Sequence, residues 1–278
     1  PKRLQIWKQS SKNFKVADAS IAMDNKVAVL TANYLLAAGN LYIVTYKIYP
    51  SGVVKVDARF TSADMQVAES EVSEATRTAT FTPGNDAARK AAAKLNVPRI
   101  GVRFRLPAEM NVVEYFGRGP EENYIDRNAG TLIGLYKTTA DKMYYNYVRP
   151  QENGHHTDTR WLSLSKKGGK GLTIVADSII GFNALRNSIE DFDSEEALPH
   201  PRQWNNFSPE EIANHDEEAA RNVLRRMHHV NDITPRDFVE VCVDMKQQGV
   251  GGYDSWGARP EPFHQIPANR DYSWGFTL

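Results

Sequence analysis

The residues best suited to ligand chemistry lie in a glycine-rich segment, residues 249–257, with the sequence GVGGYDSWG. Glycine loses the most backbone freedom on ordering, so this run predicts a sharply turning loop. Trp256 lies between the small residues Ser255 and Gly257, which leave an indole face uncovered. A flat apolar ring with one N–H donor suits stacking on the C–H face of a sugar, with Asp254 and Ser255 as candidate polar contacts. The alternative is that Trp256 anchors the loop in the core.

A second segment, residues 115–127, reads YFGRGPEENYIDR and combines turn-forming residues with a dense group of charges. Its glycines and Pro120 predict a compact loop. We expect its charged side chains to form a closed set of ion pairs that holds the loop together. Those side chains are Arg118, Glu121, Glu122, Asp126 and Arg127.

A third segment, residues 147–156, reads YVRPQENGHH and offers the chain's clearest clustering of acid and base groups. Adjacent residues of an extended segment point to opposite faces, so His155 and His156 are poorly placed to chelate one metal ion. Glu152 with either histidine could in principle form a general acid and base pair. No phosphate-binding glycine loop and no nucleophilic serine elbow is present in the sequence.

Composition limits the function classes. The 278 residues contain 34 Lys and Arg and 34 Asp and Glu, so the formal charge is zero. This balance argues against a nucleic-acid partner or an anionic membrane surface, both of which favour a basic excess. The single cysteine, Cys242, is predicted to be a buried apolar residue of a strand and excludes an internal disulfide. The chain begins at Pro1 without an initiator Met, which suggests a fragment.

The hydrophobic pattern is that of an all-β protein. Within the predicted strand 53–60, residues 54–60 alternate strictly between apolar and charged side chains, which is the period of a half-buried strand. A serine cap followed by proline and two glutamates predicts one short helix near residues 209–224. We expect one domain spanning residues 1–278, built as a large antiparallel β sandwich. The predicted strands are residues 27–36, 41–49, 53–60, 74–81, 100–106, 111–116, 157–165, 172–176, 181–186, 238–245 and 272–277.

Together, the segments YFGRGPEENYIDR, YVRPQENG and GVGGYDSW resemble the C-terminal, small-chain domain of the bacterial β-galactosidases of glycoside hydrolase family 2. The resemblance covers about residues 26–278 and implies a galactose-mutarotase-like super-sandwich. It also implies a parent enzyme that hydrolyses terminal β-D-galactosides by a retaining mechanism with two carboxylates. Both carboxylates belong to a preceding barrel domain that this chain lacks, and the family domain starts earlier, so we expect truncation at the N-terminal edge.

By this resemblance Trp256 enters the mouth of the active site and stacks on the sugar. Tyr253 stands where the family often has an acid, which puts a polar role at that position in doubt. The implied partners are a galactoside and the barrel domain, with a homo-oligomer of the full enzyme left open; no nucleic acid, membrane, metal or cofactor is expected for this chain. Two alternatives remain: a stand-alone aldose epimerase that uses Glu152 with His155 or His156, and a carbohydrate-binding module.

Overall fold

The computed structural model describes residues 7, 10, 14–36, 39–62, 96–192, 230–254 and 256–278, and strands dominate this part of the chain. The strands are β1 (Lys15–Asp24), β2 (Val27–Leu35), β3 (Leu41–Ile48), β4 (Val54–Thr61), β5 (Arg99–Pro107), β6 (Val112–Gly119), β7 (Leu132–Thr139), β8 (His156–Ser165), β9 (Gly171–Leu185), β10 (Phe238–Gln247) and β11 (Tyr272–Thr277). Short 3-10 helices lie at Ala140–Lys142, Ile189–Phe192, Val230–Asp232 and Pro262–His264.

The strand β4 shows why the alternating sequence forms a sheet with one covered face. Val56, Ala58 and Phe60 are buried. The side chains of the intervening Asp57 and Arg59 remain 42% and 44% exposed. Successive side chains of a strand point to opposite faces, so burying the apolar set fixes which face of β4 meets the core. The alternation predicted from the sequence is confirmed.

All the described strands belong to one antiparallel sheet, which forks at β9. On one edge, β9 pairs with β8 at residues 171–175 and again at Ile180 and Phe182, and β8 leads to β6 and β7. On the other edge, the first part of β9 pairs with β11, which leads through β4, β3 and β2 to β1; we call this the long branch. The second part pairs with β10, which leads to β5; we call this the short branch.

The two branches pack around two hydrophobic clusters, of which the larger is the main core. Val44 and Val56 of the long branch belong to the same buried cluster as Val241 of the short branch and Phe182 of β9. The Tyr42 hydroxyl also donates a 3.2 Å hydrogen bond to a carbonyl of β5. The predicted fold class, a large all-β antiparallel sandwich, is therefore confirmed.

Some predicted secondary-structure elements differ from the observed ones, and two others lie outside the described residues. The segments predicted as separate strands at 172–176 and 181–186 form one continuous strand, β9, because β8 runs beside both. The strands β1 and β7 were not predicted. The strand predicted at 74–81 and the helix predicted near 209–224 lie outside the described residues.

The motif segments lie at the ends of strands. The strand β6 leads into the loop that completes the first motif, and the second motif precedes β8. The third motif lies in the connection between β10 and β11. The sheet thereby provides rigid ends from which all three irregular segments project.

Candidate functional site

The segment that carries Trp256 is a loop closed by its own backbone. The Gly249 N–H donates a 2.9 Å hydrogen bond to the carbonyl of His264, and the Gly252 N–H donates a 3.3 Å bond to the carbonyl of Ala258. Gly251 and Gly252 have φ angles of +65° and +83°, in the left-handed region that favours glycine. The predicted sharply turning loop is confirmed.

Asp254 shapes the tip of this loop. One of its carboxylate oxygens accepts a 2.7 Å hydrogen bond from the Trp256 N–H and a 3.1 Å bond from the Ala258 N–H. This is the arrangement by which an aspartate side chain stabilises a turn two residues further on. Ser255, the other candidate polar contact, lies outside the described residues.

The Trp256 side chain projects from the loop and is 96% exposed. It therefore does not anchor the loop in the core of this chain. An indole that is held out in solvent presents a large apolar surface, and burying that surface against a ligand or another domain would be favourable.

Asp126 ties the Trp256 loop to the first motif. Its carboxylate accepts hydrogen bonds from the backbone N–H groups of Val250, at 3.1 Å, and Gly251, at 2.8 Å. A Cβ atom at Gly249 would lie 2.5 Å from the same carboxylate carbon, so glycine is required for this close approach. The first and third motifs, which are 125 residues apart at Gly251, thus form one structural unit.

Glu122 joins the first motif to the second. Its side chain is only 6% exposed. The carboxylate accepts a 2.7 Å bond from the Gly154 N–H, a 2.8 Å bond from Arg127, a 3.2 Å bond from the Tyr124 hydroxyl and a further bond from the Tyr147 hydroxyl. The hydrogen-bonding capacity of this nearly buried carboxylate is used by four donors of the protein. We therefore infer that Glu122 holds the loops together and does not contact a ligand.

The closed set of ion pairs predicted for residues 115–127 forms only in part: Arg127 pairs with Glu122 at 2.8 Å, but Arg118 does not join them. Arg118 pairs with Asp158 of β8 and not with Glu121, Glu122 or Asp126. Its guanidinium also donates a 2.8 Å bond to the carbonyl of Thr131. The reason is the sheet: β6 and β8 are neighbours, and the cross-strand carboxylate lies closer to Arg118 than the acids that follow it in sequence.

The two histidines point away from each other, as predicted. The Nδ1 atom of His155 lies 2.9 Å from the amide oxygen of Asn183, and the ring stacks on Tyr124. The His156 ring lies between the carbonyls of Gly154 and Pro120, at 3.0 and 3.3 Å. Both histidines are only 2% exposed.

Burial determines the protonation of both histidines. It lowers the pKa of His155 to about 3, and the neighbouring Arg99 guanidinium acts in the same direction. Burial also lowers the pKa of His156. Both imidazoles are therefore neutral near pH 7 and are enclosed by protein, so neither forms with Glu152 an acid and base pair that is open to a sugar.

A buried polar network beneath the second motif was missed by the sequence reasoning. The Arg99 Nε atom lies 3.2 Å from the Asp244 carboxylate, and its terminal nitrogen lies 3.4 Å from Glu152 and 3.0 Å from Asn183. Burial raises the pKa of the Asp244 carboxyl to about 7, although Arg99 opposes the change. Glu152 is thus part of an ion pair. The signal that could have revealed the network is an aspartate inside the apolar strand run VEVCVDM.

Other classes of site have little support in the described part of the chain. Among these residues, no three His, Cys, Asp or Glu side chains are grouped so that they could hold a metal ion. Within the same residues, no helix has the length and apolar character needed to cross a membrane. Cys242 is buried within β10, as predicted.

The chain is similar to several bacterial β-galactosidases. It is 28% identical over 278 residues to the β-galactosidase of Priestia megaterium, covering 99% of this chain and 21% of that protein. It is 25% identical over 281 residues to the Streptococcus thermophilus enzyme, covering 100% of this chain and 22% of that protein. An Arthrobacter sp. β-galactosidase is 40% identical over 124 residues, which are 42% of this chain and 12% of that protein.

The chain thus spans about a fifth of the length of the first and second of these relatives. The family model of the β-galactosidase small chain matches residues 1–278. The match includes all three motifs, which Asp126 and Glu122 join into one unit. The chain belongs to the β-galactosidase small chain family.

Proposed function

We propose that this chain is the C-terminal domain of a glycoside hydrolase family 2 β-galactosidase, and that the intact polypeptide hydrolyses terminal β-D-galactosides. The domain shapes the mouth of the active site and contributes Trp256 as a stacking platform for sugar. The observation that carries the proposal is the 96% exposure of Trp256 on a loop fixed by Asp254 and Asp126. A pre-ordered, uncovered indole can bind a sugar face with little loss of conformational freedom.

In this proposal the chain supplies no catalytic carboxylate and needs no cofactor of its own. The two catalytic carboxylates come from the barrel domain of the intact polypeptide. The Trp256 loop is the part of this chain that faces that domain. Burying one sugar face against an indole at about 25 cal/mol per Å² contributes roughly 1 to 2 kcal/mol, or about a tenfold change in affinity.

The epimerase alternative is less well supported. It requires an acid and a base that both reach the sugar ring. The buried positions of His155 and His156, and the pairing of Glu152 with Arg99, favour a structural role for these groups instead.

The test is the Trp256→Ala variant of the intact polypeptide, assayed on a chromogenic galactoside. We expect KM to rise about tenfold with the melting temperature unchanged, and Trp256→Phe to recover part of the loss. Phe263→Ala is the matched control, because Phe263 is another exposed aromatic of the same connection, at 71% exposure. An unchanged KM in Trp256→Ala would contradict the stacking role.

The same assay with the 278-residue chain alone tests the absence of catalytic groups. We expect no turnover above a buffer blank. Binding of galactosides by the intact polypeptide without any hydrolysis would favour a carbohydrate-binding module over the β-galactosidase proposal.

A further inference from the structure

The sheet carries apolar side chains on both of its faces where β6 and β8 lie side by side. Toward the core, Tyr115 pairs with Leu162, and both are buried. At the adjacent position, Phe116 pairs with Trp161. Successive side chains of a strand point to opposite faces, so Phe116 and Trp161 lie on the outer face of the sheet, away from the core. Apolar side chains on both faces are typical of strands that are covered on both faces.

The apolar part of this outer face continues across four strands. Leu135 of β7 pairs with Phe116, and Val175 of β9 pairs with Trp161. Paired residues of neighbouring strands lie on one face of a sheet, so four adjacent side chains form a row. We call this set the outer row: Leu135, Phe116, Trp161 and Val175. Leu135 is 72% exposed and Val175 is 49% exposed in this chain, while Phe116 and Trp161 are partly exposed.

Polar groups border the outer row on one side. The next cross-strand set on the same face consists of Lys137, Glu114, Ser163 and Thr173. Lys137 forms an ion pair with Glu114, and the Thr173 hydroxyl donates a 3.3 Å hydrogen bond to the Ser163 hydroxyl. An apolar centre with a polar border is the usual composition of a surface that contacts another protein domain.

Arg160 adds a positive charge beside the outer row. The central carbon of its guanidinium lies 5.5 Å from the centre of the Phe116 ring, and the guanidinium donates a hydrogen bond to the carbonyl of Asp158. Among the residues that the structure describes, Arg160 takes part in no ion pair. A guanidinium next to an apolar surface favours a partner that supplies a carboxylate opposite it.

The size of the outer row distinguishes between two kinds of occupant. Its uncovered area is on the order of a few hundred Å², whereas a stable contact between two separate copies needs roughly 800 Å² on each partner. A smaller contact is enough between domains of one polypeptide, because the linkage supplies a high effective concentration. This chain spans about a fifth of the length of its Priestia megaterium and Streptococcus thermophilus relatives, so most of such a polypeptide lies outside the structure.

We propose that the outer row is the docking surface for another domain of the intact polypeptide. The partner domain presents apolar side chains to Leu135 and Trp161 and a carboxylate to Arg160. It covers the face of the sheet opposite to the core, so that β6 and β8 become buried on both faces. This inference rests on the proposed intact polypeptide, but it does not depend on the stacking role of Trp256.

Photocrosslinking within the intact polypeptide tests this proposal. The photoreactive residue p-benzoylphenylalanine replaces either Leu135 or Val175, and mass spectrometry identifies the crosslinked peptides. We expect both positions to form crosslinks within one polypeptide, to peptides of one partner domain outside the 278 residues, without a doubling of mass on a denaturing gel. Because the readout does not use activity, it can be obtained even if the intact polypeptide fails to hydrolyse galactosides.

Leu132 is the matched control position, because it lies on β7 like Leu135 and is similarly exposed, at 74%. The two residues are three positions apart on a strand, so their side chains point to opposite faces. The probe at position 132 should crosslink to the partner peptides with a severalfold lower yield. Arg160→Glu should also lower the yield from position 135 severalfold, whereas Lys167→Glu, in the exposed turn between β8 and β9, should leave it unchanged.

Four outcomes would overturn the proposal. They are a crosslink from position 135 to a second copy, a crosslink from it to a peptide within the 278 residues, equal yields of the same product from positions 132 and 135, and no crosslink from position 135 or 175 above that of an unirradiated sample. An unchanged yield in Arg160→Glu would overturn the contact with a carboxylate.

Discussion

Asp126 and Gly251 lie 125 positions apart in the chain, and a 2.8 Å hydrogen bond joins the Gly251 N–H to the Asp126 carboxylate. The same carboxylate accepts a 3.1 Å bond from the Val250 N–H. One side chain of the first motif thus holds the start of the loop that presents Trp256. If Trp256 contacts a sugar, Asp126 positions that contact without touching the ligand.

The first prediction is that Asp126→Ala mimics the loss of Trp256. Removing the carboxylate leaves the N–H groups of Val250 and Gly251 without their acceptor, at a cost of roughly 1 to 3 kcal/mol that falls on the loop. We expect KM of the intact polypeptide to rise about tenfold and hydrogen exchange of residues 249–254 to become faster. Asp126→Asn retains an acceptor oxygen, so its KM and its loop exchange rate should lie between those of the unmodified polypeptide and those of Asp126→Ala.

Glu121→Ala provides the matched control for Asp126→Ala. Glu121 is an exposed acid of the same motif, and the described bonds to the 249–257 loop do not involve it. Its removal should leave both KM and loop exchange unchanged. Equal effects of the two variants would mean that net charge, and not the Asp126 tether, controls the loop.

The second prediction concerns the partner of Arg118. A double-mutant cycle between Arg118→Ala and Asp158→Ala should give a coupling of about 1 kcal/mol in the free energy of unfolding. The value is modest because the two side chains are 26% and 32% exposed. Arg118→Ala alone should cost more, about 2 kcal/mol, since the carbonyl of Thr131 also loses its donor.

A second cycle with Glu121→Ala in place of Asp158→Ala separates the observed pairing from the one expected from sequence. We expect its coupling to be zero within error of denaturant titration. A coupling with Glu121 as large as that with Asp158 would restore the ion-pair set predicted for residues 115–127.

The sequence predicts what depends on local patterns. Alternation placed β4 correctly, and the density of glycine around Gly251 identified a turning loop with positive φ angles. The small neighbours of Trp256 indicated an uncovered ring, which agrees with its exposure. Each of these properties is determined within a few residues, so it can be read from one stretch of chain.

The sequence does not predict what depends on the neighbouring strand. The segments at 172–176 and 181–186 were predicted as separate strands, yet they form one strand, β9, because β8 pairs with residues in both of them. Asp158 became the partner of Arg118 through the pairing of β6 with β8. The strand β1 is largely exposed at the sheet edge, so its apolar pattern is weak. Such long-range pairings are not encoded by local spacing.

The third prediction is a pH dependence of stability caused by His155. Its pKa is about 3 in the folded chain, compared with 6.5 for an ordinary histidine. Between these values the unfolded chain binds one more proton, so this residue makes stability fall as the pH falls. From pH 7 to pH 5 the loss is about 2 kcal/mol, and His155→Gln should remove it.

Asp244 acts in the opposite direction over the same range. Burial raises the pKa of its carboxyl to about 7, against 3.8 for an ordinary aspartate, in spite of Arg99. Between these values the folded chain binds one more proton, so Asp244 makes stability rise as the pH falls. The stabilisation is complete below the unfolded pKa and is lost as the pH rises through 7.

Urea denaturation at pH 7 and pH 5 checks both signs. Relative to the unmodified chain, His155→Gln should gain stability on acidification by about 2 kcal/mol, and Asp244→Asn should lose a similar amount. The two groups lie 3.8 Å apart, so the double variant is needed to measure their coupling. Parallel pH profiles for the unmodified chain and His155→Gln would show that the histidine is not held neutral by burial.

The last prediction separates two neighbouring glycines of the Trp256 loop. Gly251 and Gly252 both have positive φ angles, which asparagine adopts more readily than other residues with side chains. A Cβ atom at Gly251 would lie 2.6 Å from the carbonyl oxygen of Ala258, whereas a Cβ at Gly252 meets nothing within 4 Å. The two positions therefore share a backbone requirement and differ in space.

We expect Gly252→Asn to leave KM of the intact polypeptide within about twofold of its original value, because its backbone and surroundings accept the side chain. Gly251→Asn should raise KM about tenfold, because the added atom pushes away the Ala258 carbonyl that accepts from the Gly252 N–H. Valine should raise KM at both positions, since a β-branched residue resists a positive φ angle. Equal KM values for the two asparagine variants would contradict this prediction. They would mean that the geometry of the loop does not control the proposed contact between Trp256 and the sugar.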